Sequence, residues 1–424
     1  MRLTLEVLRA KQGDCLMLHW GTDADPRLML IDGGPDGVYA EQLLPRLQQV
    51  HAARKIGRDE SLPVDVVMVS HVDDDHIAGI IELAKGQDRR TAPIGLTVDG
   101  LWHNSFDDLL GIPPDRRLTA GTRLSDGMSS VLADLGTQVL DGTVEVGHDE
   151  AFDVAEVLAG IDQGRTLRDD AEKLGWELNS VAGGRLILAE VGTGVVAVEG
   201  LEVTVVGPLA PELRRLQAEH DKWVRQHVPG AQGNMAAAAA VYADVSVPNL
   251  SSIVVHVAAG GKTILLTGDA RGDKILLGLE TAGLMPKGGT IELDILKVPH
   301  HGSDRDVTPD FFGRVRARHY VLSGNGEYGN PERKAVEMLL GARHGDAFTI
   351  HLTYPVEEID VARKLDWEKQ RASEMKRGKN PRSVWSHPDQ DLGPLLATLP
   401  VKVKLAIVPE GAPHRIDLLE PSVG

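Results

Sequence analysis

An apolar run followed at once by a dense cluster of ionisable residues constrains this chain more than any other feature. Residues 64–69 read VDVVMV, and residues 70–76 read SHVDDDH. The first run is typical of a buried strand, and the second places two imidazoles and several carboxylates within seven residues. Without a counter-ion these charges would repel one another and lose hydration energy. A divalent cation removes both costs, so the sequence predicts a metal site at a strand end.

Length, charge and cysteine content narrow the classes of protein. A chain of 424 residues can hold one large α/β domain with additions, and its net charge of −17 disfavours a protein that coats nucleic acid by charge alone. The single cysteine, Cys15, excludes an intrachain disulfide and favours a reducing compartment. Because no apolar run reaches a membrane span and the first residues lack a signal-peptide core, we expect a cytoplasmic protein that does not bind a membrane.

Three further apolar runs, LMLID, TILLTGD and LDILKVP, end at residue types that bind metals. These residues are Asp32, Asp269 and the pair His300-His301. A sheet presents the ends of its parallel strands along one edge, so these side chains are expected to meet the SHVDDDH cluster there. Carboxylates and imidazoles collected in this way suit a pair of divalent ions that share a bridging carboxylate.

The motifs and their order resemble those of the metallo-β-lactamase-fold hydrolases. More narrowly, the chain is similar to the soluble domain of the DNA-uptake protein ComEC. The motifs that carry the resemblance are QGDCLML, LIDGG, SHVDDDHIAGI, NLSSIVV, LLTGD, LKVPHHGS and GNGEYGNP. The resemblance implies a four-layer αββα sandwich in which two mixed sheets face each other and helices cover the outside. It also implies that the metal site lies at one edge of the sandwich, between the sheets.

The resemblance implies two divalent ions, Zn²⁺ or Mn²⁺, and a role for each matched residue. The implied metal ligands are His71 and Asp73 for the first ion, Asp75 and His76 for the second, Asp269 as the bridge, and His300 or His301 to complete the second site. The implied catalytic residues are Asp75, Asp32, which orients a ligand, and Asn330. Substrate contacts are expected from Asn249, Ser252, Ser303, Tyr328, Asn330 and His103.

Two departures from the family pattern affect the chemistry. The superfamily histidine that usually precedes the bridging aspartate is absent, and Asn249, Ser251 and Ser252 occupy that region. The first site is therefore rich in oxygen ligands, which makes manganese or iron a competitor of zinc. The second departure is Asn330 in YGNP, where the ComEC branch has a histidine. An asparagine there can donate a hydrogen bond but cannot transfer a proton to a leaving group.

The resemblance implies a hydrolase in which a hydroxide bridging the two ions is the nucleophile. A phosphodiester in DNA, RNA or a nucleotide is the favoured substrate, which makes the protein a phosphodiesterase or nuclease. A lactone, thioester or other small ester is the first alternative. A catalytically weak metal-binding module that serves a protein partner or senses a ligand is the second alternative. The sequence does not indicate an oligomeric state.

The order of elements divides the chain into three parts. Residues 1–106 and 249–355 are expected to form the metallo-β-lactamase-like core. Residues 107–248 match no family motif and are expected to form an insertion beside the mouth of the site, with some strands that belong to the core. Residues 356–424 are expected to form a C-terminal extension that packs on the core. Within the core, the pattern predicts a helix over 308–317.

Overall fold

The computed structural model describes residues 1–87, 92–105, 162–189, 196–211, 213, 251–378 and 380–420. Within these residues two mixed sheets face each other and helices cover their outer faces. This arrangement confirms the predicted four-layer αββα sandwich. No helix in the described ranges combines the length and hydrophobicity that crossing a membrane requires.

Sheet 1 has the strand order β15-β1-β2-β3-β4-β5-β6. Its strands are β1 (Arg2–Val7), β2 (Leu16–Gly21), β3 (Pro26–Ile31), β4 (Leu62–Val69), β5 (Leu96–His103), β6 (Glu177–Leu178) and β15 (His414–Asp417). The pairs from β15 to β3 are antiparallel, and the pairs from β3 to β6 are parallel. The parallel half brings the ends of β3, β4 and β5 to the same edge.

Sheet 2 has the strand order β14-β13-β12-β11-β10-β9-β8-β7. Its strands are β7 (Val196–Val198), β8 (Leu201–Gly207), β9 (Val254–Ala259), β10 (Lys262–Leu266), β11 (Ile291–Lys297), β12 (Val315–Leu322), β13 (Phe348–Leu352) and β14 (Val403–Ile407). The pairs from β10 to β14 are parallel, so β10, β11 and β12 also end at one edge. The remaining pairs, from β7 to β10, are antiparallel.

The helices that cover the sheets differ in length and position. They are α1 (Leu44–Ala53), α2 (Asp74–Gln87), α3 (residues 162–174), α4 (Gly272–Thr281), α5 (Pro309–Arg314), α6 (Arg333–Ala342), α7 (Val356–Lys376) and α8 (Leu392–Leu396). A π-helical turn, Tyr39–Leu43, leads into α1. Short 3₁₀ turns span Ser180–Ala182, Pro299–Gly302 and Glu327–Gly329.

The apolar run of β4 shows how the sequence produces this layering. Successive side chains of a strand point to opposite faces of the sheet. Val66 and Met68 therefore pack between the two sheets, while Val67 and Val69 pack against the helices outside sheet 1. Both faces of β4 are buried, which is why its sequence is apolar nearly throughout rather than alternating.

Each sheet also has an outer apolar layer. Helices α1, α2 and α3 cover sheet 1 through residues such as Leu47, Ile80 and Leu167, which are fully buried. Helices α4 to α8 cover sheet 2 in the same way. Their buried residues include Leu279, Phe311, Val336, Ile359 and Leu396. The three apolar clusters, one between the sheets and one outside each sheet, are what hold the four layers together.

The predicted helix over 308–317 is too long. Helix α5 ends at Arg314, and Val315 begins β12. Val315 and Ala317 are buried and pair with the register of β11, so strand pairing overrides the helical pattern of the local sequence.

Strands from outside the predicted core ranges also take part in the two sheets. β7 and β8 lie within residues 107–248 and form one end of sheet 2. β14 and β15 lie within residues 356–424, and they extend sheet 2 and sheet 1 respectively. Most of residues 107–248 lie outside the described ranges.

Candidate metal centre

The SHVDDDH segment lies where β4 passes into α2. His71 and Asp73 follow the strand, and Asp75 and His76 occupy the first turn of the helix. The His76 amide donates to the Asp73 carbonyl at 2.9 Å, which closes this first turn. In sheet 2, Asp269 follows β10 at the same edge of the sandwich. The structure therefore brings together the strand-end residues that the sequence predicts to meet.

The carboxylate of Asp269 lies at the centre of the cluster. Its Oδ1 is 3.3 Å from Nε2 of His76, and its Oδ2 is 3.5, 3.6 and 3.9 Å from Nε2 of His301, His300 and His71 respectively. The exposed fraction of the Asp269 side chain is only 3%. A buried carboxylate that faces imidazoles with both oxygens is well placed to bridge two cations.

The remaining predicted ligands lie on two sides of this central carboxylate. On one side, His71 Nε2 is 3.2 Å from Asp73 Oδ2. On the other side, Asp75 Oδ1 is 3.8 Å from His76 Nε2, and Asp75 Oδ2 is 3.6 Å from His301 Nε2. The candidate ligands thus lie on both sides of Asp269, with His71 and Asp73 as a first group and Asp75, His76 and His301 as a second.

Asp32 orients both histidines of the SHVDDDH segment. It accepts hydrogen bonds from the Ser70 amide at 2.7 Å, from Ser70 Oγ at 2.8 Å and from His76 Nδ1 at 2.8 Å. Because an ionised carboxylate only accepts, the Ser70 hydroxyl proton is committed to Asp32. Ser70 Oγ must then accept from His71 Nδ1, which is 3.0 Å away. Both imidazoles thus carry their proton on Nδ1 and present the lone pair of Nε2 to the cluster.

His300 and His301 form a turn that brings both rings to the cluster. Their φ angles are 47° and 54°, and Gly302 follows at 93°. The left-handed region is costly for residues other than glycine, and such conformations concentrate at functional sites. His300 Nδ1 pairs with Asp306 Oδ2 at 2.7 Å, while its Nε2 faces Asp269. The sequence leaves open which histidine is a ligand, and the structure places His301 closer to the second group.

The electrostatics of the cluster favour a cation. Burial alone would lower the pKa of His301, but Asp269 and Asp14 beside it raise that pKa to about 10. Burial alone would raise the pKa of Asp269, but His301 and His76 hold it well below its usual range. Burial alone would also lower the pKa of His76, but Asp269, Asp32 and Asp75 raise it well above its usual value. Without a metal the site would hold protons on its imidazoles, and metal binding displaces such protons.

The ligand atoms themselves fit a metal site. In the part of the chain that the structure describes, no hydrogen-bond partner is found for Nε2 of His71, His76 or His301, or for Oδ1 of Asp269. All four atoms are buried. Buried polar atoms without partners are rare in proteins, because each costs desolvation energy that nothing repays. A divalent ion among these atoms removes that cost.

Three residues that border the cluster are not among the predicted site residues. Asp14, from the loop between β1 and β2, has a carboxylate oxygen within 4.8 Å of the nearest ligand atoms of His76, Asp269 and His301. Lys297, at the end of β11, is fully buried. Ser323 follows β12 and is also buried. A signal was present in the sequence, because a lysine in the apolar run LDILKV indicates a charge that must be paired inside the protein.

The predicted substrate contacts are arranged less uniformly. Ser252 Oγ accepts from the Asp269 amide at 3.3 Å, so it contacts the backbone that carries the central carboxylate. Ser303 is buried, and its hydroxyl accepts from the Arg305 amide at 3.3 Å within its own turn. The structure thus places these two serines in the scaffold of the site. Asn249 lies outside the described residues.

Three other residues predicted to contact the substrate lie in a neighbouring loop or at the end of a neighbouring strand. A Cβ built on Gly324 would lie 3.1 Å from the Asn330 carbonyl oxygen and 3.5 Å from His301 Cβ, so the Asn330 backbone approaches the cluster. Tyr328, in the same loop, is 68% exposed. His103 ends β5 beside the end of β4 and is fully buried, and burial lowers its pKa to about 4. At neutral pH the His103 ring is therefore uncharged.

Comparison with known proteins finds only partial or distant similarity. No protein-family model matches the chain. Rat microtubule-associated protein 1A is 34% identical over 96 residues, which is 21% of this chain. The mouse and human proteins are 35% identical over 86 residues, or 20% of this chain. In each case the match spans 3% of the relative's length.

Among solved structures, Zn²⁺-bound PqqB from Methylobacterium extorquens is similar over 77% of this chain and 82% of that chain. The sequence identity is 11% and the TM-score is 0.31.

Proposed function

We propose that the protein is a dinuclear metal-dependent hydrolase. The observation that carries the proposal is the set of buried Nε2 atoms of His71, His76 and His301, which face the Asp269 carboxylate without hydrogen-bond partners among the described residues. A scaffold that directs three imidazole lone pairs at carboxylates needs positive charge between them, which protons supply in the absence of a metal and a divalent ion would supply by displacing them.

The separations of the ligand atoms support this proposal. Atoms bound to one tetrahedral ion at 2.0–2.1 Å lie about 3.3 Å apart. The nitrogen–oxygen pairs described above within the cluster are separated by 3.2 to 3.9 Å. The residues that would hold the first ion are His71, Asp73 and Asp269, and those that would hold the second are Asp75, His76, Asp269 and His301.

The chemistry divides between the ions and the protein. When bound, the ions would supply Lewis acidity that activates water and offsets negative charge at the reacting group. Through Asp32, the chain would keep the imidazole proton on Nδ1, so that the lone pair of Nε2 faces the ions. It would also keep Asp269 ionised between the two sites and exclude bulk water from the buried ligands. In the first site two carboxylates accompany one imidazole, so this site is rich in oxygen ligands, which favours manganese alongside zinc.

For the substrate we favour a phosphodiester. The motif resemblance to ComEC supports this choice, as does the general suitability of paired ions for a reaction in which both the attacking and the leaving oxygen carry charge. The net charge of −17 argues for a short or nucleotide-sized substrate over long nucleic acid. DNA, RNA and nucleotide phosphodiesters are therefore all included in the test.

Hydrolysis assays with added Mn²⁺ or Zn²⁺ test the proposal. We expect the wild-type protein to cleave bis(p-nitrophenyl) phosphate or a short oligonucleotide, and Asp75→Ala and Asp75→Asn to lose at least a hundredfold in rate. Asp74→Asn is the matched control, because Asp74 neighbours Asp75 in α2 but accepts from Gln163 instead of facing the cluster. Activity that survives in both Asp75 variants would contradict the assignment.

A parallel panel of lactones, thioesters and chromogenic esters distinguishes the alternatives. Cleavage of an ester with no cleavage of any phosphodiester would keep the metal centre and change the substrate. Tight binding of two ions with no turnover in either panel would favour a metal-binding module that serves a partner.

A further inference from the structure

We propose that Ser323, Asp14 and Lys297 form a positioning relay that presents His301 to the metal. The inference rests on the proposed metal centre, and it assigns a function to three residues that do not themselves bind the ion. The relay joins the loop before β2 to the ends of β11 and β12, and so it connects the two sheets at the edge where the cluster lies.

The contacts of the relay are short and buried. Ser323 Oγ lies 2.6 Å from Asp14 Oδ1 and 2.9 Å from His301 Nδ1. Lys297 Nζ lies 2.6 Å from Asp14 Oδ2. The side chains of Asp14 and Lys297 are each only 1% exposed, so solvent does not weaken their ion pair.

The donors and acceptors of the relay have only one consistent direction. Asp14 accepts from Lys297 and, being ionised, can only accept from Ser323. The Ser323 hydroxyl proton therefore points to Asp14, and Ser323 Oγ accepts from His301 Nδ1. The proton of the neutral imidazole is then on Nδ1, and the Nε2 lone pair faces Asp75 and Asp269.

Lys297 explains why Asp14 can serve this role while remaining ionised. The Lys297 ammonium lies 2.6 Å from Asp14 Oδ2, so a positive charge balances this buried carboxylate. Both carboxylate oxygens of Asp14 are engaged, Oδ1 by Ser323 and Oδ2 by Lys297. Asp14 is therefore a support for His301 rather than a further metal ligand, although it lies near enough to be counted with the cluster.

A second arrangement of the same kind lies at the ends of β3 and β4, which is an independent reason to regard the relay as part of the site. Asp32 receives the Ser70 hydroxyl proton, and Ser70 Oγ accepts from His71 Nδ1 at 3.0 Å. In both places an aspartate acts through a serine to set the tautomer of a histidine. Residues that support metal ligands in this way typically change metal affinity about 10- to 100-fold when they are replaced.

Metal binding by Asp14→Asn and Ser323→Ala tests the relay. In the Asp14→Asn variant the new amide can donate to Ser323, which lets the serine proton turn toward His301 and moves the imidazole proton to Nε2. Ser323→Ala keeps the charges but removes the bridging hydroxyl, which leaves His301 Nδ1 only its longer, 3.4 Å approach to Asp14 Oδ1. We expect each variant to bind one of the two ions about 10- to 100-fold more weakly in chelator competition, and the double variant to lose no more than the larger single loss.

Glu6→Gln is the matched control, since Glu6 is also a fully buried carboxylate with a basic partner, Arg46, and it has no contact with the cluster among its described contacts. We expect this variant to lose stability and to keep wild-type affinity for both ions. The Co²⁺ absorption spectrum provides a second readout, because a change in His301 ligation alters the bands of one site, whereas a loss of stability alone does not.

The outcomes separate this inference from the proposed function. If the wild-type protein binds two ions and both relay variants bind them equally tightly, the relay is wrong and the metal centre stands. If the wild type binds no divalent ion, the proposed function is wrong and the relay falls with it. Should Asp14→Asn fail to fold, Ser323→Ala still decides the matter, because it removes a single hydroxyl.

Discussion

Every histidine of the cluster uses one ring nitrogen for the scaffold and directs the other to the centre. Nδ1 of His76 pairs with Asp32, Nδ1 of His71 and His301 pairs with a serine, and Nδ1 of His300 pairs with Asp306. An imidazole held in this way loses little conformational freedom when it binds a metal, because its orientation and tautomer are already set. At this scale, individual hydrogen bonds decide whether a residue type that suits a metal is also able to bind one.

Gly13 gives a residue-scale prediction about backbone contact. A Cβ at this position would lie 1.8 Å from the Asp75 carbonyl oxygen, and the neighbouring Asp14 amide donates to that oxygen at 3.2 Å. Gly13→Ala must therefore displace the start of α2, and we expect it to lower the free energy of unfolding by about 1–3 kcal/mol and to weaken metal binding.

Urea denaturation and chelator competition on Gly13→Ala check this expectation. Gly341→Ala is the control, since a Cβ there meets nothing within 4 Å and α6 should gain up to about 1 kcal/mol from the better helix former. If Gly13→Ala kept the stability and the metal affinity of the wild type, the close contact between Gly13 and the Asp75 carbonyl would not be needed for either.

The strands and helices explain why residues far apart in the sequence meet. Apolar runs predict β3, β4, β10 and β11 correctly, because burial of both faces of a sheet is visible in the local sequence. The boundary of α5 is not predicted, because Val315 and Ala317 follow the register of β11 rather than their local pattern. The apolar run around Lys297 indicates that this lysine must be paired, but it does not identify Asp14 as the partner, since a pair between two elements has no local signature.

A chain of three histidines gives an element-scale prediction about pH. His319 on β12 is hydrogen-bonded to His351 on β13 at 3.0 Å, and His351 to His414 on β15 at 2.9 Å. Burial, reinforced by its two neighbours, lowers the pKa of His351 to about 3, and burial lowers that of His414 to about 4. The folded protein therefore keeps these rings neutral at pH values where the unfolded chain is already protonated.

The direction in which pH changes the free energy of unfolding follows from the number of protons that the folded and unfolded states bind. Below the ordinary histidine pKa of about 6.5 the unfolded state binds more protons, so the stability due to these rings is present above that value and declines as the pH falls toward 4. Each ring changes the free energy of unfolding by at most about 1.4 kcal/mol per pH unit. We expect His351→Gln to reduce the loss of unfolding free energy between pH 7 and pH 5, as measured by urea denaturation.

The exposed His344→Gln serves as the control for this series and should keep the wild-type dependence on pH. If the unfolding free energy of His351→Gln depended on pH as steeply as that of the wild type, the three hydrogen-bonded histidines would be protonated in the folded state.

For the molecule as a whole, the two sheets and the metal centre are expected to stabilise each other. The ligands come from both sheets, so only the folded chain can bind the ions in this arrangement. An ion present at a hundred times its Kd then adds about 2.7 kcal/mol to the free energy of unfolding. We expect a chelator to lower the Tm of the wild type and to leave Asp269→Asn, which lacks the central carboxylate, nearly unaffected.

Differential scanning calorimetry with and without EDTA measures this coupling. Asp74→Asn should keep the wild-type response, because it leaves the cluster intact. A Tm that does not respond to EDTA in the wild type would show that the metal does not link the sheets.

The kinds of candidate ligand, their places at strand ends and the layered α/β architecture can be read from the sequence alone. These are local properties, since an apolar run and the charged residues that end it lie within a few positions of each other. The central position of Asp269, the approach of His301 to it and the contacts among Asp14, Ser323 and Lys297 are visible only in the folded protein. Those relations depend on how two sheets face each other, and distances across the sandwich leave no trace in the order of residues.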